Sequence, residues 1–401
     1  MRVGTINYCC QSGLGILTKA FWDHGIVNQM FIIEHSRHPT EWQWYPQTTP
    51  HCPIDQLDQN SRDLRQFVSG LDVLLCFETP FYWPIVDYAR KNGVKTVCVP
   101  MYECSLQNPP ALFDEYWCPS MLDLRYFSDT PERIGGADTV EPFSTTFRYQ
   151  GAFSTFTPVP VKVEWQQRTE AKVFIHNAGH GGLKGRNGTK ELVEALKYIK
   201  TSPTIVINSQ SPIDEQVIGP GILPGAKDLR AERDCNGNRK YDLKLNDVSV
   251  TLQIGTRSDN LLYSEGDVFI FPEKFNGLSL PLQEARAAGM LVMATSRYPM
   301  TTWLPSTVPI RTWKMESYVG EEITECLDPL IPTVTTVKNR IGPPYMEFDE
   351  AVIDPRAIAA KIDEWYGRDL TNYSLSGKEW AESMSWEKLG PKYLELLERL
   401  K

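Results

Sequence analysis

Two stretches of this 401-residue chain carry residue types whose spacing could do chemistry. In Ile175-His-Asn-Ala-Gly-His-Gly-Gly-Leu-Lys-Gly-Arg-Asn-Gly-Thr189, Lys184 and Arg186 stand among glycines just before a helix-forming run. Glycines let backbone N–H groups approach an anion, and two cations could neutralise a diphosphate there. In Pro272-Glu-Lys-Phe-Asn-Gly-Leu-Ser-Leu-Pro-Leu-Gln-Glu-Ala285, the turn Asn276, Gly277, Leu278, Ser279 and Leu280 leads into a helix that carries Glu284. The free N–H groups of such a turn and the positive end of its helix also suit a phosphate. The Asn276 amide can bond hydroxyls but supplies neither charge nor proton abstraction. His176 and His180 have i,i+4 spacing outside a helix, which does not predict a zinc site. Asp234 opens a run similar to a calcium loop, but Arg239 and Leu245 occupy the positions that need Gly and Glu.

These residues must be held by strands and helices. Asp267 to Phe271 reads as a buried strand, Gln283 to Ala288 as a helix stopped by Gly289, and Leu291 to Thr295 as the next strand. That order is a parallel-sheet unit, and its turn lies at the strand's carboxyl end, where open sheets bind ligands. Earlier strands are read at Val3–Asn7, Gln29–Ile33, Asp72–Phe77, Thr96–Met101 and Tyr116–Pro119, with a helix from Trp83 to Asn92 closed by Gly93. Gly13 and Gly15 follow the first strand, where the backbone turns tightly before a helix. Two glycines, with no acidic residue clearly ending the second strand, are weak evidence for a nicotinamide site. Thr155 to Trp165 reads as a stiff linker. A second series then begins with strands Ala171–Ile175, Thr204–Asn208 and Val248–Ile254. The fold class expected is α/β, with two Rossmann-like doubly wound parallel-sheet domains. Their expected bounds are 1–157 and 166–375, with an insertion at 211–247 that includes a basic stretch from Lys227 to Lys240. A terminal amphipathic helix is expected within 376–401 through Leu389, Tyr393 and Leu400.

Composition bounds the function. Net charge is −9 with acids and bases intermixed, which argues against a broad electrostatic grip on nucleic acid. Nine cysteines, several inside apolar runs, fit reduced buried thiols and a cytoplasmic location. No apolar stretch reaches the ~20 residues that span a bilayer, and the first residues read as a strand rather than a signal peptide. The sequence says nothing about oligomeric state.

The stretch from Pro272 to Ala285 resembles the donor-binding element of retaining GT-B glycosyltransferases of family four, whose pattern is Pro-Ser-x-x-Glu-Gly-Phe-Gly-Leu-Pro followed by a second Glu. On that alignment Asn276 replaces the first Glu, Ser279 replaces the second Gly, and Glu284 is the second acidic residue, which in the family holds the ribose hydroxyls. Lys184-Gly185 matches the Lys-Gly of a second family element, and Arg186 stands in for its missing Arg. Gly13 and Gly15 resemble the family's N-terminal glycine loop, which abuts donor phosphates and acceptor. The Ser385-Trp386 ending resembles a helix that packs back toward the first domain. Related enzymes place a His after the central strand of the first domain, and the matching position here is Tyr102 or Glu103. Glu78 ends the preceding strand on the same edge and is the further acceptor-side candidate.

The resemblance implies the GT-B architecture, with the two domains facing across a cleft. It also implies a metal-independent, retaining glycosyltransferase using a UDP- or GDP-linked donor, with no cofactor. Glu103, Lys184 and Asn276 are the expected catalytic residues. The acceptor stays open between a glycan, a small molecule and a modified nucleobase. The alternatives are a phage-type DNA-base glycosyltransferase, a nucleotide-sugar epimerase and a non-catalytic nucleotide-sugar binder.

Overall fold

The computed structural model describes residues 1–36, 38–131, 134, 140–213, 232–233, 237–245, 247–255, 259–296 and 330–401. The chain divides into two compact units. Unit 1 comprises Met1–Pro160, Arg340–Glu347 and Met384–Lys401, and unit 2 comprises Val161–Asn339 and Phe348–Ser383.

Unit 1 contains β1 (Val3–Tyr8), β2 (Gln29–Glu34), β3 (His51–Pro53), β4 (Val73–Glu78), β5 (Lys95–Pro100), β6 (Glu115–Cys118), β7 (Thr146–Tyr149) and β8 (Ala152–Phe156). They form one sheet in the order β3-β2-β1-β4-β5-β6-β8-β7. All its pairings are parallel except β7 with β8. The helices are α1 (Gly13–Asp23), α2 (Ser61–Ser69), α3 (Pro84–Lys91) and α4 (Met121–Tyr126). Central strands such as β4 (Val-Leu-Leu-Cys-Phe-Glu) are almost wholly buried, as a sheet covered on both faces requires. The helix Trp386–Glu398 belongs to this unit. Its Tyr393 ring packs on Phe21 and Phe143, and its hydroxyl donates to the Thr157 carbonyl at 3.0 Å.

Unit 2 holds β9 (Val173–Gly179), β10 (Thr204–Ser209), β11 (Glu232–Arg233), β12 (Arg239–Leu245), β13 (Val248–Ile254), β14 (Val268–Phe271), β15 (Leu291–Thr295) and β16 (Leu330–Ile331). The order is β11-β12-β13-β10-β9-β14-β15-β16, parallel except for β11 with β12 and β12 with β13. Its helices are α5 (Thr189–Ala195), α6 (Asp259–Ser264), α7 (Leu280–Ala287), α8 (Pro355–Trp365) and α9 (Thr371–Ser383). Phe174, Ile205, Ile207, Leu252, Ile270 and Met293 lie in its core.

Several expectations are corrected. Thr155 is not the start of a linker but lies in β8, paired with Trp117 of β6. Most of the expected insertion at 211–247, including Asp234, lies outside the described residues, yet β12 within it is a seven-residue strand of the sheet. Its charged sequence, Arg-Lys-Tyr-Asp-Leu-Lys-Leu, alternates half-buried and exposed positions, the pattern of an antiparallel strand with one solvated face. An acidic residue, Glu34, does end β2, but its carboxylate is engaged by the Nδ1 of His51 at 2.8 Å.

Candidate functional site

Among the parallel-paired strands of each sheet the order reverses once, and ligands of doubly wound sheets bind at that switch, beyond the strands' carboxyl ends. In unit 2 the switch lies between β9 and β14, which pair directly. The segments that leave these two strands are the Gly-rich loop and the Pro272 turn. They touch through the backbone: the Lys274 N–H donates to the Arg186 carbonyl at 2.7 Å. Gly188, at φ 69°, caps the start of α5, and a Cβ there would lie 1.9 Å from the Pro272 carbonyl oxygen. Only glycine permits both this conformation and this approach. Asn187 ties its loop to β9 by donating to the Asn177 and Ala178 carbonyls at 3.0 and 3.2 Å.

This contact brings Arg186, two residues after Lys184, beside the turn. Lys184 ends a single 3₁₀ turn, Gly182–Lys184, and is exposed. The half-buried Arg186 guanidinium lies 5.8 Å from the centre of the Phe275 ring. Lys274 is spent on an ion pair with Glu191 of α5 at 2.8 Å.

The turn itself is organised by one side chain that the sequence reading did not single out. Glu273 is fully buried. One of its oxygens accepts from the Asn276 amide, and the other from the Ser279 hydroxyl at 3.1 Å. Asn276 Oδ1 accepts from the N–H groups of Leu278 and Ser279, both at 3.2 Å. Those two N–H groups, expected to meet a phosphate, are therefore turned inward, and Asn276 acts as the framework of the turn. Ser279 takes φ 52°, a left-handed conformation that glycine adopts without strain. Gly277 and Leu278 are buried, and half-buried Leu280 opens α7. Glu284 lies on α7, half-buried, with one oxygen accepting from the Tyr263 hydroxyl of α6 at 2.7 Å.

His176 is no ligand. It is fully buried, with Nδ1 2.9 Å from the Ile270 carbonyl and Nε2 2.9 Å from the Thr189 hydroxyl. A carbonyl accepts only, so Nδ1 carries the proton and Nε2 accepts from Thr189. Burial pushes its pKa down to about 4, so the ring stays neutral and joins β9, β14 and α5.

In unit 1 the switch lies between β1 and β4. Ser12 caps α1, its hydroxyl accepting from the Gly15 N–H at 3.1 Å. Gly13 and Gly15 therefore lie in the first turn of α1, not in a loop before it. Gly15 is sterically required, since a Cβ would sit 2.1 Å from the Cys10 carbonyl oxygen, whereas Gly13 faces open space. The two acceptor-side positions after β5 are interior: Tyr102 and Glu103 are both fully buried. Tyr102 stacks on Tyr126 at 5.0 Å, and its N–H donates to Asp123 at 2.8 Å. Burial, and then the nearby charge of Glu103, pushes the Asp123 carboxyl up to about 8. Glu78 stays half-exposed at the end of β4. The structure thus brings the loop of Lys184 and Arg186 against the turn that holds Asn276 to Leu280, with Glu284 on the helix that follows the turn. It leaves Gly13, Gly15 and Glu78 on the carboxyl edge of unit 1 and draws Tyr102 and Glu103 into the interior.

All seven described cysteines are free thiols, and six of them are buried. Among the described residues no helix is long and apolar enough to cross a membrane.

No family model matches this chain, and no curated protein matches it by sequence. Solved structures do match it. One titled as the lipopolysaccharide outer core galactosyltransferase WaaB, apo form, is similar over 99% of both chains at 10% identity, with a TM-score of 0.54. Anabaena HepE in complex with UDP is similar over 100% of both chains at 10% identity, TM-score 0.51. The pneumococcal O-GlcNAc transferase GtfA, in complex with UDP and GlcNAc, is similar over 85% of this chain and 59% of its own length, at 13% identity and TM-score 0.51. With two mostly parallel eight-stranded sheets, and with a match over essentially the whole chain to the WaaB and HepE structures, the chain has the GT-B fold.

Proposed function

We propose that this protein is a glycosyltransferase that moves a sugar from a UDP- or GDP-linked donor to an acceptor hydroxyl, with retention at the anomeric carbon and without a bound metal ion. The observation that carries the reading is the backbone contact of Gly188 and Arg186 with Pro272 and Lys274. It holds the loop that carries Lys184 and Arg186 against the turn that leads into the helix of Glu284, at the carboxyl ends of β9 and β14, which supports a ligand site there. Two of the similar structures are titled as UDP complexes, which supports the same class of donor here.

In this reading Lys184 and Arg186 face the diphosphate and stabilise the charge that grows on it as the glycosidic bond breaks. Their two charges serve where other transferases use a divalent cation. Glu284, steadied by Tyr263, accepts hydrogen bonds from the ribose hydroxyls. Retention rests on the resemblance of the Pro272–Ala285 stretch alone.

A thermal-shift series with UDP, GDP and their sugars, with and without EDTA, tests this function. A melting temperature raised by at least one nucleotide and insensitive to EDTA is expected, and no response to any of them would refute the reading. One observation favours a second reading. Asn276 replaces a family carboxylate and is occupied inside the turn, which would suit a nucleotide-sugar binder without turnover. Slow donor hydrolysis by the wild type, lost in Lys184→Ala, would exclude that alternative.

A further inference from the structure

Arg168 lies in the stretch that opens unit 2, and it is a cation buried to 5% exposure. Its guanidinium is directed at main chain. Nη2 donates to the Tyr263 carbonyl at 2.7 Å and Nη1 to the Ser264 carbonyl at 3.2 Å. These two carbonyls close α6, and the last carbonyls of a helix have no partner within it. A planar fork of donors can satisfy two of them at once, and the helix dipole favours a cation there.

The neighbours of Arg168 hold the same side of the unit. The Arg168 N–H donates to the Ser374 hydroxyl of α9 at 2.9 Å, and Trp165 Nε1 donates to the Ser374 carbonyl at 3.0 Å. The Gln166 N–H donates to the carbonyl of Ala288, just past α7, at 3.1 Å. One short segment, 165–168, therefore ties down the carboxyl ends of α6 and α7, the helices that carry Tyr263 and Glu284. The buried Tyr263 ring meets Phe269 of β14 edge-on at 5.9 Å, and its hydroxyl donates to Glu284 at 2.7 Å. With six residues, α6 is too short to keep its geometry unaided. A shift of its last turn by about an ångström would take the Tyr263 hydroxyl beyond hydrogen-bond reach of Glu284.

We propose that Arg168 is a positioning residue for nucleotide recognition. By fixing the end of α6 it aims Tyr263 at Glu284, and so sets the carboxylate to accept from ribose hydroxyls. The proposal rests on the glycosyltransferase reading above and extends its donor site to a residue far in the chain from both the Gly-rich loop and the Pro272 turn. Its effect is selective. Contacts to the ribose hydroxyls depend on the aim of Glu284, whereas the diphosphate is met by Lys184 and Arg186.

Calorimetry with UDP, GDP and their 2′,3′-dideoxy analogues tests this, because the analogues keep base and diphosphate and lack both hydroxyls. The wild type is expected to bind UDP or GDP at least about tenfold more tightly than the matching analogue. Arg168→Met is expected to cut that preference to about threefold or less while leaving affinity for the analogue unchanged. Arg168→Lys keeps the charge and one donor but not the fork, so an intermediate preference is expected. Tyr263→Phe should lower the preference as far as Arg168→Met does. Adding Arg168→Lys to Tyr263→Phe should lower it no further, since both act through one hydrogen bond.

A residue that only stabilises the fold would lower the melting temperature and weaken nucleotide and analogue alike. Should Arg168→Met fail to fold, the Lys variant and the double variant decide the matter. The inference is overturned if the Arg168 variants keep the wild-type preference, if they weaken the analogues as much as the parent nucleotides, or if the effects of Tyr263→Phe and Arg168→Lys add in full. A wild type that binds nucleotides without preferring the ribose form overturns this role and leaves the donor reading standing. Failure of the wild type to bind any nucleoside diphosphate overturns both together.

Discussion

The two sheet edges share one topology and are built from different materials. In unit 2 the edge is made by main chain: Gly188 lies against the Pro272 carbonyl, and Lys274 N–H meets the Arg186 carbonyl. In unit 1 the edge is made by side chains, with Tyr8, His35 and Phe81 grouped near a strained Glu78. A diphosphate is small and highly charged, so close backbone and cations suit it. The interiors differ in the same sense. Unit 2 buries a His held neutral, whereas unit 1 buries an Asp held protonated.

The most severe test of this contrast is Gly188→Ala. A Cβ 1.9 Å from the Pro272 oxygen, on a left-handed backbone, is expected to remove roughly 3 kcal/mol or more of stability from unit 2, read as a lower denaturant midpoint. Wild-type stability in that variant would mean that the two loops need not touch.

Acidification should pull the units apart. The folded His176 pKa is about 4 against 6.5 for the free side chain. Below pH 6.5 the unfolded chain takes up a proton that the folded one refuses, so this contribution is lost as pH falls from 6.5 toward 4. At full extent the loss is roughly 3 kcal/mol. Asp123 runs the other way: its folded pKa is about 8 against 3.8, so its contribution is fully present below 3.8 and is lost as pH rises toward 8. Hydrogen exchange at pH 5 and pH 7, corrected for intrinsic rates, should show protection around β9 and α5 falling at the lower pH while protection around α4 rises. Parallel changes in both units would contradict the assignment of the two buried groups.

A smaller effect separates side-chain from backbone recognition on the unit 2 edge. Glu284→Ala should weaken UDP or GDP binding by about 2 kcal/mol in calorimetry, the scale of a lost charged hydrogen bond. Unchanged affinity would remove Glu284 from the donor site. The smallest effect is Gly13→Ala, which should shift stability by no more than about 0.5 kcal/mol, because nothing lies within 4 Å of the new methyl. A large loss there would show that the start of α1 needs glycine for a reason beyond space.

The unit 2 edge was the more legible of the two. Wholly apolar strands such as β14 and β15 announce themselves, and a backbone that must approach another backbone writes glycine into the chain. β12 was missed because its charges read as a loop until its period of two is counted. Glu273 was missed because the alignment drew attention to Asn276, three residues on, while the carboxylate that orders the turn stands earlier.

The amino-acid sequence by itself determined the alternation of strands and helices, the resemblance to GT-B enzymes and the location of the Gly-rich edge, because these depend on runs of neighbouring residues. Only the tertiary structure decided which carboxylates can meet a ligand. Glu103 and Glu78 both follow apolar strands and look alike in sequence. Glu103 is sealed beside Asp123 of α4, and Glu78 is held in a left-handed kink at the sheet edge. Burial is set by elements far away in the chain, and no local pattern records it.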